Sequence, residues 1–156
     1  MEPMIKKIEP IEVLYARATG NYMKSAEVAW TELTKYLEKK AIDPAKVRAI
    51  GISHDDPQTT DEDKLRYDAC VPAADNMQLE ESVKKQTIAG GTYAIFTHYG
   101  PYENLYKLYG KIYQEWLPTS GKKLRPVPMF EDYVICEMKE KNSSKWKTDI
   151  YVPIEE

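Results

Sequence analysis

The chain has 156 residues, with 22 Lys and Arg against 25 Asp and Glu and a formal charge of −3. So weakly acidic a chain lacks the dense basic surface that non-specific phosphate-backbone binding demands, and its two cysteines cannot carry a disulfide framework. At 42% apolar and 30% charged residues, without a leader pattern or an apolar run near the ~18 residues of a membrane span, it reads as a reduced, cytoplasmic, globular protein.

Taken in chain order, residues 8–19 alternate Ile11, Val13, Tyr15 and Arg17 against Glu12, Leu14 and Ala16, which predicts a strand. Gly20-Asn21 breaks it. From about residue 25 to residue 40, Ala26, Ala29, Trp30, Leu33 and Leu37 recur at helical spacing. Residues 47–53 and 65–71 predict two more strands, the second stopped by Pro72, and residues 73–82 an exposed connection. A second series follows. Residues 87–99 read as a strand bent at Gly90-Gly91. Gly100-Pro101 opens a helix carrying Leu105, Leu108, Tyr109, Ile112, Tyr113, Trp116 and Leu117, ended by Pro118 and Gly121. Residues 129–137 and 146–154 are the last two strands.

The order strand–helix–strand–strand thus occurs twice. Shifted by 81 residues, Lys64 to Pro72 falls on Lys145 to Pro153, with Lys, Asp, Val and Pro coinciding. Shifted by 80, Gly20 falls on Gly100, Tyr22 on Tyr102, Tyr36 on Trp116 and Leu37 on Leu117. The change of offset is expected between helix and next strand, where loop length is tolerated. The predicted architecture is α+β: a tandem duplication of about 8–72 and 87–154 in one domain, with an antiparallel sheet and two helices flanking a central groove. Repeats this short bury little core alone, so they must pack together around a pseudo-two-fold axis.

Glu131 is the first candidate for chemistry. It shares a strand face with Met129, Tyr133 and Ile135, and a carboxylate among apolar neighbours is costly unless paired or facing a cleft. The opposite face is also mostly apolar, so alternation does not say which face holds the groove; Glu131 is an anchor for a cation, a structural ion pair or a rim position in solvent. The second candidate is aromatic density: 12 Tyr and 3 Trp against 2 Phe. Trp30 lies on the first helix, Tyr106, Tyr109, Tyr113 and Trp116 on the second, and Tyr67 and Trp146 on strands that the repeat relates. A cation over aromatic faces gains about 0.5–2 kcal/mol per contact. The histidines and cysteines show no metal-ligand spacing, and no P-loop, dinucleotide or nucleophile-elbow motif occurs. No metal and no cofactor are expected.

These segments resemble the GyrI-like family, the SbmC-like stand-alone proteins grouped with the effector-binding domains of AraC-type and MerR-type regulators. The resemblance rests on residues 64–71 (KLRYDACV), 88–94 (IAGGTYA), the helix opened by Gly100-Pro101, Phe130-Glu131 with Tyr133, and the closing segment 146–153. It implies a ligand groove between the halves, with Glu131 meeting a ligand's positive charge and Trp30, Trp146 and Tyr106 on the walls. Tyr67 and Tyr133 join them, and Ile50 marks a wall position. The function implied is binding of a small, lipophilic, cationic aromatic molecule, without direct DNA contact. Two alternatives use the same chain: a hydrolase opening cyclopropane-type electrophiles, with Glu131 as acid or base, and a partner-binding role on gyrase or a regulator.

Overall fold

The computed structural model describes residues 2–74 and 77–156; the connection predicted over residues 73–82 therefore includes two residues outside those described. Among the described residues eight strands form one antiparallel sheet: β1 Met4–Ile8, β2 Ile11–Thr19, β3 Ile50–Ser53, β4 Arg66–Pro72, β5 Lys84–Ile88, β6 Gly91–Tyr99, β7 Phe130–Ile135 and β8 Lys147–Pro153. Their order across the sheet is β1-β6-β8-β7-β3-β4-β2-β5, which reads the same from either end when halves are exchanged. Each half's first strand sits on the other half's second strand: β1 pairs β6, and β5 pairs β2. The halves join at β3 and β7, where Gly51 lies opposite Glu131. Those two positions are related by the 80-residue repeat offset, so the pseudo-two-fold axis passes between them.

Helix α1 spans Tyr22–Lys39 and opens three residues before its predicted start. Asn21 caps it, its side chain accepting from the Met23 N–H at 2.9 Å. The second helical segment is segmented. A short turn over Tyr102–Asn104 leads into α2, Leu105–Lys111, then a widened turn over Ile112–Trp116, then α3, Leu117–Ser120. The widening has a local cause. Pro118 has no N–H to donate back into the helix, and its ring crowds the preceding turn. The Leu117 N–H reaches Ile112 O, five residues back.

Both helices lie on one face of the sheet. Leu33, Leu37 and Tyr36 of α1 pack on Leu14, Ala16, Ala69 and Val71. Leu105 and Ile112 pack on Ala94, Phe96, Ile150 and Val152. Full burial of such side chains contributes about 1.5–3 kcal/mol each. The other face folds onto itself around Val13, Ile50, Cys70, Tyr93, Ile95, Phe130 and Tyr151. The curl brings Pro10 against Gly90, two more positions one repeat apart, where a side chain on Gly90 would run into the Pro10 ring 2.8 Å away.

Three predictions are corrected here. The strand expected over residues 8–19 is two strands parted at Glu9-Pro10, because Pro10 cannot donate to a ladder. The bend at residues 89–90 likewise separates β5 from β6. The extra residue of the second repeat does not fall after the helix. It is a bulge in β7 between Asp132 and Ile135, where pairing with β8 slips. Bulges redirect side chains, and this one begins one residue beyond Glu131.

Candidate functional site

The two helices leave an open cleft of about 1540 Å³ above the β3–β7 junction. Its floor is Glu131 and Tyr133 from β7 and Tyr67 from β4. One wall is α1, through Met23, Ala26, Trp30 and Thr34. The other is the second helical segment, where Tyr102, Tyr106, Tyr109 and Tyr113 recur at spacings of four, three and four and so share one face.

Hydrogen bonds run through the floor in one direction. The Trp30 indole N–H donates to the Tyr67 hydroxyl at 2.8 Å. Tyr67 and Tyr133 hydroxyls meet at 2.7 Å, and Tyr133 donates to Glu131 Oε1 at 2.8 Å. Tyr109 donates to Glu131 Oε2. An indole only donates and a carboxylate only accepts, so every hydroxyl in the chain points its proton towards Glu131. Gly51 makes this possible. A Cβ there would overlap the Tyr67 and Tyr133 hydroxyls.

Glu131 has hydrogen bonds but no cation among the described residues. Burial pushes its pKa above the usual carboxylate range; the bonds from Tyr109 and Tyr133 and the nearby His98 offset only part of that rise. Burial and the Glu131 charge also push the Tyr109 and Tyr133 phenols well up, so both remain donors. The rim adds negative charge through Glu27, Glu38, Asp56 and Glu137, against Lys35 and Arg125, while Asp55 is paired with Arg66 at 2.9 Å. Arg125 is engaged elsewhere, donating to the carbonyls of Gly90, Thr92 and Ile154 at 2.9–3.0 Å. The cleft is an aromatic, acceptor-rich space with surplus negative charge.

The structure brings Glu131, Tyr133, Tyr67, Trp30 and Tyr106 together around this cleft. Two residues from the sequence-based set lie elsewhere. Ile50 points to the far face of the sheet, fully buried with Cys70 and Phe130, because alternation gives the cleft to its neighbour Gly51. Trp146 stands behind the wall. It stacks on Tyr102 with centroids 4.9 Å apart and donates to the Glu140 carbonyl at 2.7 Å, so Tyr102 presents the ring surface. Tyr102 in turn meets Tyr133 edge-on, as Trp30 does from the other side. Tyr109 is the partner of Glu131 that the sequence reading left out of the binding set; the regular spacing of the four tyrosines was the available signal. Trp116 packs on Phe96 in the core. Cys136 lines the cleft as a free thiol, and no cluster suited to a metal ion occurs among the described residues.

The curled eight-stranded antiparallel sheet with its helices on one face is the fold shared with the solved structures that superpose on this chain. The chain belongs to the GyrI-like small molecule binding domain family, which it matches over residues 1–155. It is 31% identical over 111 residues to the probable transcriptional regulator YgiV of Escherichia coli (strain K12), covering 69% of this chain and 67% of that one. Among solved structures, the EcmrR C-terminal domain superposes with a TM-score of 0.81 at 21% identity, over 99% of this chain and 98% of that one. SAV2435 bound to tetraphenylphosphonium superposes with a TM-score of 0.64 at 13% identity, over 99% and 94%. No helix among the described residues is long and apolar enough to cross a membrane.

Proposed function

We propose that the cleft binds a lipophilic aromatic cation, with Glu131 as its counter-charge. The observation that carries this reading is a carboxylate held by two phenol donors, walled by aromatic rings and without a cation of its own. Such a group costs folding free energy that a bound cation recovers, and the low-dielectric walls strengthen the attraction. Trp30, Tyr102, Tyr106 and Tyr113 supply ring faces for a delocalised charge. The ligand-bound relative, SAV2435 with tetraphenylphosphonium, is consistent with that class.

The test is a tryptophan-fluorescence titration with an aryl-trimethylammonium and its neutral aryl-tert-butyl isostere. Glu131→Gln is expected to weaken the cation about 10–100-fold, equivalent to roughly 1.4–2.7 kcal/mol, and the isostere less than about twofold. Equal losses for both would remove the charge role.

A second reading uses the same acid for hydrolysis of a strained electrophile. The Glu131 pKa, raised by burial, and the one-way chain of hydroxyls ending on it suit a general acid or base. Product formed beyond one equivalent per protein, and lost in Glu131→Gln, separates turnover from binding.

A further inference from the structure

We infer that the back of the sheet carries a second, separate site, a guanidinium-binding pocket over Asp149. In the first half Asp68 on β4 is fully buried beneath Arg17 on β2. Arg17 grips it with a two-pronged fork, Nε to Oδ1 at 2.7 Å and Nη2 to Oδ2 at 2.9 Å. The same guanidinium lies over the Tyr15 ring, 5.3 Å from its centroid. His54 at 2.6 Å and Gln86 at 2.8 Å complete the ring of partners around Asp68.

The second half keeps the acid and lacks the base. Asp149 takes the place of Asp68, opposite Thr97 where the first half has Arg17. Thr97 is too short to cover the carboxylate and donates one hydrogen bond to Oδ1 at 2.7 Å. A pocket of about 480 Å³ opens there, lined by Glu2, Lys6, Thr97, Lys147 and Tyr151 beside Asp149 and reaching Phe96 and Leu108 on the helix side. The charge count differs as well. Asp132 stands directly opposite Asp149 across β7 and β8, where the first half pairs Asp68 with Ile52. Like charges in that relation repel. Arg48 neutralises Asp132, Nε to Oδ2 at 2.8 Å, which leaves Thr97 as the side-chain partner of Asp149 among the described residues. A planar fork entering from solvent would reproduce on Asp149 the contacts that Arg17 makes within the chain. Glu2 and Asp149 against Lys6 and Lys147 leave the pocket without net charge, which favours a single, compact cation over a polycation.

The chemistry recognised is a guanidinium, whether of a free small molecule or of an arginine on another protein. Amide chemical shifts of Thr97 and Asp149 would be followed by NMR during titration with methylguanidinium, with acetyl-Ala-Arg-Ala-amide and with n-butylammonium. Saturable shifts at these residues, at least about fivefold tighter for either guanidinium than for the ammonium, are expected. A tripeptide tighter than methylguanidinium assigns the pocket to a protein arginine; the reverse assigns it to a free ligand. Thr97→Arg rebuilds the first-half clamp within the chain. It should abolish both titrations and raise Tm by about 2–4 °C, and Asp149→Asn should cancel that gain. Non-saturable shifts, equal affinity for n-butylammonium, or titrations that survive in Thr97→Arg would overturn the site. The cleft above Glu131 plays no part in any of these readouts.

Discussion

Placing a methyl group on Gly51 tests the structure of the cleft floor directly. A Cβ at this position would occupy the space of the Tyr67 and Tyr133 hydroxyls, which are themselves fixed by Trp30 and Glu131. Forcing an extra methyl group into a filled site costs about 1–3 kcal/mol. Separating the two hydroxyls loses a buried hydrogen bond of about 0.5–1.5 kcal/mol. Gly51→Ala is therefore expected to destabilise by about 2–4 kcal/mol, lowering Tm by roughly 5–15 °C at this chain length. Thermal unfolding followed by far-UV circular dichroism measures it. Gly110, on the cleft side of α2, is the control, because a Cβ there meets nothing within 4 Å. Gly110→Ala should stabilise by about 0.5–1 kcal/mol through helix propensity. A Gly51→Ala protein melting within about 2 °C of wild type would refute the claim that the hydroxyl chain fills this space.

Further tests follow from the charged groups and the tryptophans. Because the folded Glu131 pKa is raised, its ionisation opposes folding once pH exceeds the unfolded value near 4.5. Glu131→Gln should therefore raise Tm at pH 7–8, and the gain should shrink as pH falls towards 4.5; thermal melts across that range would show it. Asp68 has the opposite sign. Burial pushes its pKa up, but the bonds from Arg17, His54 and Gln86 outweigh burial and hold it at about 2. Its contribution is present above the unfolded value near 3.8 and lost as pH falls towards 2. Asp68→Asn should cost about 2–3 kcal/mol at pH 7, the worth of a carboxylate held at about 2 rather than 3.8, with the difference narrowing below pH 4 in acid-denaturation curves. Only Trp30 among the tryptophans reaches the cleft. Trp30→Phe should abolish the ligand-induced fluorescence change, whereas Trp146→Phe should preserve most of it.

Much of the fold was legible because the repeat writes each element twice. Gly20 and Gly100, Pro72 and Pro153, and the two apolar helix faces mark the same points in both halves. The β1 strand was not legible, because Met4–Ile8 is a short, exposed edge carrying Lys6 and Lys7 and has no buried face to create a pattern. Its partner in the repeat, β5, is more polar still, with Lys84, Lys85, Gln86 and Thr87 before Ile88. At the site, Glu131 stood out as a carboxylate among apolar neighbours, and Trp30 and Tyr67 followed from aromatic density. Ile50 came from the family resemblance and lies one strand position from the cleft-facing Gly51, a single step that turns a side chain to the opposite face. Trp146 was misplaced for another reason. Its ring is near the cleft, but Tyr102 lies between, and which of two stacked rings faces solvent depends on tertiary packing. The bulge after Glu131 could be counted from the two offsets but not located, since an extra residue has no signature until the ladder is seen to slip.

The exchange of first strands imposes an order on the growing polypeptide. Strands β2 to β5 and α1 can assemble into one flank of the sheet once residue 88 has emerged from the ribosome. The strand made first, β1, cannot join them. Its partner β6 begins at Gly91, and the neighbouring β8 closes only at Pro153. For most of its synthesis the chain carries an idle strand with Met4 and Ile5 uncovered, 64% and 48% exposed even after folding. Lys6 and Lys7 beside them act as charged gatekeepers against pairing with another nascent chain. The lysines that made β1 invisible to pattern reading thus keep it soluble while it waits.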